Sequence, residues 1–217
     1  MTLERAIGTY IWRVRLPRLN LERIEEFCAA WIARAGEADT RHIAGVFDRF
    51  FALWVVYNRL YEAAARTLAQ ECHDWASAFV RRNQPFRPLP DRMSATRGVI
   101  LFCGRQRLAA AIAQHDGCSR MLEATLQAID SGLLFLNEDY QTGEPDYAKD
   151  RELVGHVRKG DPGALLELLY QARCNLFHGQ KAYSEVQRPL LEGMIEVLVV
   201  TIEQVRASLR NRATEWE

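Results

Sequence analysis

Arg173 and His178 are separated by four residues in the run Tyr170-Gln171-Ala172-Arg173-Cys174-Asn175-Leu176-Phe177-His178-Gly179-Gln180-Lys181, where an apolar helix-forming stretch ends on polar side chains. A histidine gives and takes protons near neutral pH because its unperturbed pKa is about 6.5. An arginine stays charged there and offers a planar fork of donors that fits phosphate oxygens. Together they suit a reaction that moves a proton while neutralising a crowded phosphate, with His178 as general acid or base and Arg173 as clamp. Asn175 precedes His178 by three positions, on the same helical face, where its amide can select the imidazole tautomer. Lys181, beyond Gly179, adds a candidate phosphate contact. The same His-Gly pair also reads as an ordinary helix end, with a cationic side chain set against the helix dipole.

One helix does not aim both side chains at one point. Five steps of about 100° leave Arg173 and His178 about 140° apart around an ideal helix. The reach of the arginine, a helix that unwinds before Gly179, or a second copy of the chain would each bring the two groups together.

The elements that must hold this pair are helical. Asn20 is a suitable N-cap for a helix whose apolar face is Leu21, Ile24, Phe27, Cys28, Trp31 and Ile32, with Gly36 at its end. A longer helix follows from about Thr40, and its centre, RFFALWVVYNRLYEAAA, is apolar on nearly every side, which marks a buried spine. Trp54, Tyr57 and Tyr61 on it read as core, and Asn58 as a buried amide that bonds locally or reaches the site. Asp74 to Arg82 predicts a turn or two of helix, and NQPFRPLPDR predicts a loop because of its prolines. Two helices are expected over about Gly98 to Gln114 and Ser119 to Asn137, then a polar loop, NEDYQTGEPDYAKD, and a short helix from Asp150 to Arg158. Asp161 and Pro162 supply an N-cap and a first-turn proline for the helix carrying Arg173. That helix is expected to pack on the long helices centred near Trp54 and Ile195. The last helix runs from about Ser184 to Asn211, with Leu190, Leu191, Met194, Ile195, Leu198, Val199, Ile202 and Val205 inward. No hairpin pattern, repeat or low-complexity tract interrupts the series, so the expected fold is an all-α helical bundle over residues 20–217, preceded by a short extended N-terminal arm over 1–19.

Composition narrows the function classes. With 28 basic and 28 acidic residues the formal net charge is zero, so an anionic partner must be held by a local patch rather than by a global field. Lys149, Lys159 and Lys181 are the only lysines among those 28, leaving 25 arginines. Cys28, Cys72, Cys103, Cys118 and Cys174 are odd in number and contain no C-x-x-C pair, which argues for free thiols in a reducing cytoplasm and against a structural zinc. His73 beside Cys72 and His115 near Cys118 lack further ligands, so no metal site and no cofactor is expected. Phosphate-loop, dinucleotide and nucleophile-elbow motifs are missing. The Arg-rich start lacks the apolar run of a secretory signal, and no segment approaches the roughly 20 apolar residues of a membrane span. A cytoplasmic protein without a membrane partner is expected.

The motif RCNLFHG, its place before the final helix, and the aromatic-rich helix FFALWVVYNRLYEA with Asn58 resemble the HEPN superfamily and its R-x4-6-H motif. The likeness runs from about Arg41 to Arg206, the middle being matched only as helices. It implies a HEPN-like helical bundle and a metal-independent endoribonuclease, in which Arg173, His178 and Asn175 are catalytic and Lys181 touches RNA. It further implies a homodimer that joins two motifs in one cleft, products with 2′,3′-cyclic phosphate ends, and a toxin–antitoxin or antiviral-defence role with a cognate antitoxin as partner. The family commonly has a polar residue directly after the arginine, whereas this chain has Cys174 there and Asn175 one place later. That departure favours the alternative, a catalytically inactive HEPN-like dimerisation module that binds protein, RNA or nucleotide.

Overall fold

In the computed structural model, residues 19–71, 73–77, 90–139, 141–177 and 184–215 are described, and they build an all-α bundle. Helix α1 (Leu21–Gly36) starts where the Asn20 side chain accepts from Arg23 N at 2.9 Å, as its sequence predicts, and buries Ile24 and Cys28. Helix α2 (Ile43–Gln70) begins three residues later than expected, because Asp39 and Arg41 pair with each other in the preceding turn. Phe50, Tyr57, Leu60, Tyr61 and Leu68 on α2 are almost wholly buried, which makes it the spine; each such side chain contributes about 1.5–3 kcal/mol. Helix α3 (Asp74–Ser77) follows, and residues 78–82 of the stretch expected to be helical lie outside the described residues.

The proline-rich stretch ends sooner than its composition suggests. Its residues 83–89 lie outside the described part, but Pro90 already caps a helix, and Asp91 and Arg92 are helical rather than looped. Helix α4 (Asp91–Met93), a π-helical turn (Ser94–Gly98) and α5 (Val99–Cys103) run on from one another, so this helix starts seven residues before Gly98. It stops at Gly104, whose φ of +87° suits glycine and not an L side chain, and α6 (Arg105–Gln114) sets off in a new direction. Helix α7 (Asp116–Asp130) opens on His115, whose Nδ1 accepts from Cys118 N at 3.2 Å. It ends well short of Asn137 because Leu134 N and the Ser131 hydroxyl both take the Ala128 carbonyl.

Helix α8 (Tyr147–Arg158) starts three residues before Asp150, on an Asp146 cap that accepts from Lys149 N at 3.0 Å. Helix α9 (Pro162–Phe177) opens as its sequence predicts, with Asp161 Oδ1 accepting from Gly163 N at 2.8 Å. A 3-10 turn (Glu185–Gln187) leads into α10 (Arg188–Glu215), where Leu191, Met194, Val197, Leu198 and Val205 are completely buried. Of its expected inward face only Val199 is partly open.

Helix α10 lies along α2 and α7. Its approach to α7 is close at Gly193, where an added Cβ would fall 2.1 Å from Thr125 Oγ1 and 3.1 Å from Met121 O. Helix α9 touches α10 and sets Tyr170 and Arg173 against Trp54 of α2, the two long helices expected to receive it, and it leans further on α8 and the π turn. The reason is polar: the segment between α7 and α8 is pinned from both sides. The buried Asp150 carboxylate accepts from Leu136 N at 2.9 Å, Asn137 N at 3.0 Å and Asn137 Nδ2 at 2.7 Å, while α9 takes the Leu136 carbonyl. No helix among the described residues is long and apolar enough to cross a membrane. Of the arm expected over residues 1–19, residues 1–18 lie outside the described residues.

Candidate functional site

The last turns of α9 present Tyr170, Arg173 and Cys174 toward the start of the α4 helix, and Asn175 toward the pinned segment. Tyr170 and Arg173 are three residues apart and so share a face. Arg173 is half-buried, and its guanidinium carbon lies 5.5 Å from the centroid of the Trp54 ring, within reach of a cation–π contact. Its Nη1 also meets Cys174 Sγ at 3.9 Å, a weak contact.

Beside Arg173, one carboxylate collects two phenols. Tyr170 donates to Asp91 Oδ2 at 2.9 Å, and the Tyr61 hydroxyl sits between Asp91 Oδ1 and Asn58 Oδ1. A phenol has one hydrogen, and the charged oxygen of Asp91 is the stronger acceptor. Burial, reinforced by the hydrogen bond to Asp91, pushes both phenols well above their ordinary value of 10.0, with the Arg173 cation opposing. Tyr57, one turn before Tyr61 on α2, donates to Ala95 O, a carbonyl of the π turn. Interruptions of this kind are frequent at functional sites. Asn58 therefore does reach this cluster, through Tyr61, while Trp54, Tyr57 and Tyr61 are 3%, 1% and 1% exposed and belong to the core.

Asn175 is 2% exposed and holds the backbone in place: its Nδ2 donates to Leu136 O at 2.7 Å and its Oδ1 accepts from Gln171 Nε2 at 3.1 Å. Among the described residues, one Nδ2 hydrogen and one lone pair of Asn175 have no further partner. His178 and Lys181 lie outside the described residues. The structure thus gathers Arg173, Asn58, Tyr61, Tyr170 and Asp91 in one place and sets Asn175 on the adjoining face of α9.

Asp91 and Tyr170 are the members that sequence reasoning missed. Asp91 is hidden by the prolines before it, although a signal exists in the apolar helix α2: buried phenols at Tyr57 and Tyr61 require partners. Two other histidines have local duties. His73 Nδ1 accepts from Trp75 N at 3.2 Å, and His115 caps α7. Cys28, Cys103 and Cys118 are buried free thiols, pushed up to about 11, 11 and 12 by burial, and are poor nucleophiles. Comparison with known protein families, curated proteins and solved structures yields no match.

Proposed function

We propose that this protein is a metal-independent endoribonuclease of HEPN type. The observation that carries the reading is the placing of Arg173: a half-buried guanidinium against Trp54, one turn before the end of α9, five residues ahead of His178 in an R-x4-H motif. In this reading the substrate's 2′-hydroxyl attacks the adjacent phosphorus, the P–O5′ bond breaks, and the product ends are a 2′,3′-cyclic phosphate and a 5′-hydroxyl. His178 moves the proton, and Arg173 stabilises the charge that builds on the phosphorane oxygens. Tyr170, held by Asp91, shares a face of α9 with Arg173, Asn175 ties that helix to Leu136, and Lys181 adds a contact to RNA.

The angular offset of Arg173 and His178 supports a homodimer in which two motifs line one cleft. The resemblance supplies the wider role, an effector of a toxin–antitoxin pair or of antiviral defence in the cytoplasm, restrained by a cognate antitoxin. A second reading, an inactive dimerisation module that binds protein, RNA or nucleotide, is favoured by Cys174, whose thiol gives Arg173 only a weak contact.

Product chemistry tests the proposal. Purified protein with mixed RNA in EDTA is expected to yield 2′,3′-cyclic phosphate and 5′-hydroxyl ends and to spare DNA, which lacks the nucleophile. Cleavage that stops on chelation, or ends bearing a 5′-phosphate, would overturn it.

A further inference from the structure

A cavity of about 190 Å³ opens on the other flank of α9, between α8, α9 and Arg92. It is smaller than the roughly 300–1,000 Å³ of drug-sized pockets and suits a fragment the size of a nucleobase. Lys149, Leu153 and His156 line it from one face of α8, and Glu167 and Gln171 line it from one face of α9.

Hydrogen bonding decides what its amides can offer. Both Gln171 amide hydrogens are engaged, by Leu136 O at 3.4 Å and Asn175 Oδ1 at 3.1 Å, so Gln171 presents its carbonyl oxygen. Asn137, also in the wall, donates to Asp150 Oδ1 at 2.7 Å and keeps its own Oδ1. With the Glu152 carboxylate the wall is rich in acceptors, and Leu153 supplies an apolar surface. Arg92 is ion-paired with Glu167, and Lys149, His156 and Glu152 stand in the same wall. A bare phosphate would meet two carboxylates here, so the cavity is not a simple anion site. Acceptors facing a neutral ring suit a base with an exocyclic amino group, as carboxylates and amides do when they read cytosine N4 or adenine N6.

The cavity adjoins the candidate active site. Arg92 follows Asp91, the residue that Tyr170 grips. We propose that this cavity is a base subsite for a nucleotide of the RNA strand next to the cut, preferring bases with an exocyclic amino group over uracil. Glu152 and Gln171 accept the two amino hydrogens of the base, Leu153 packs on its face, and Lys149, exposed on α8, meets the flanking phosphate. This inference rests on the ribonuclease reading.

Fluorescence anisotropy with labelled 2′-O-methyl oligo-C and oligo-U tests it, since methylation blocks cleavage and isolates binding. The full chain is expected to bind oligo-C about tenfold more tightly than oligo-U. Glu152→Ala, at an exposed position, is expected to bring that ratio near one. Lys149→Ala is expected to weaken both and to reduce the salt slope by about one. Equal binding of the two oligomers, or variants that keep the wild-type affinities, would overturn the subsite while leaving cleavage in EDTA intact. Failure of the wild type to bind either oligomer would overturn the subsite and the ribonuclease reading together.

Discussion

The α2–α10 seam and the α4–α9 corner both tie helices together, but they are built from opposite materials. Along the seam Leu60, Ala63, Ala64, Leu191, Met194 and Leu198 are completely buried and ask nothing of their neighbours except shape. In the corner, Asp91, Tyr61, Tyr170 and Asn58 are locked by specific hydrogen bonds, and Asp150 and Asn175 grip one segment from two helices. An apolar core tolerates repacking, whereas directional hydrogen bonds, here made by buried Tyr61 and Asp150 and by exposed Asp91, keep their geometry only while each partner is present. The difference teaches where this chain has given up simple stability for defined side-chain geometry, as proteins do at functional sites.

Substitutions that treat the two regions differently sharpen this contrast. Leu198→Ala is expected to destabilise the fold by about 2–5 kcal/mol through a cavity, lowering the denaturation midpoint while the surviving folded protein keeps its cleavage rate. Asp150→Ala is expected to cost on the order of 3 kcal/mol, because three donors lose their acceptor in a buried place, and also to reduce the cleavage rate by loosening the segment beneath α9. Denaturant unfolding paired with single-turnover cleavage separates the two outcomes; equal kinetic effects would erase the distinction between the regions. Tyr170→Phe is expected to cost only about 1 kcal/mol, the net value of a single hydrogen bond, with a change in cleavage rate larger than that in stability.

Alkaline pH offers the gentlest probe. The Tyr61 and Tyr170 phenols have folded-state pKa values raised above 10.0, so their contribution to stability is complete below that value and is lost as pH rises beyond it. Thermal melts should therefore begin to fall as pH rises past about 10, the ordinary phenol value, and ultraviolet titration should find these phenols ionising only with unfolding. Early ionisation of Tyr170 in the folded protein would show that Asp91 does not hold it.

Local signals explain which parts of this structure can be read from sequence. Asn20 and Asp161 cap the helices that their positions predict, and the inward face of α10 is the one its periodicity marks, because caps and helical period are local properties. The early start at Asp91 is obscured by Pro85, Pro88 and Pro90, residues that stop a helix from within but are well suited to precede one. The π turn and the lean of α9 toward α8 depend on long-range bonds from Tyr57 and Asp150, which no window of sequence contains. Within the candidate site, Arg173 is legible from residue type and spacing. Its polar neighbours are not, since Asp91 and Tyr61 are 30 residues apart and meet only in the folded chain.

The central claim is that the end of α9 carries proton transfer at an RNA phosphate. It is tested most directly by the single-turnover cleavage rate of one defined RNA in EDTA, measured for the wild type and for His178→Ala at equal folded concentration. Cleavage by the wild type and a loss of roughly 10²- to 10⁴-fold in the variant are expected. An unchanged rate in His178→Ala, with contaminating nuclease excluded, would contradict it.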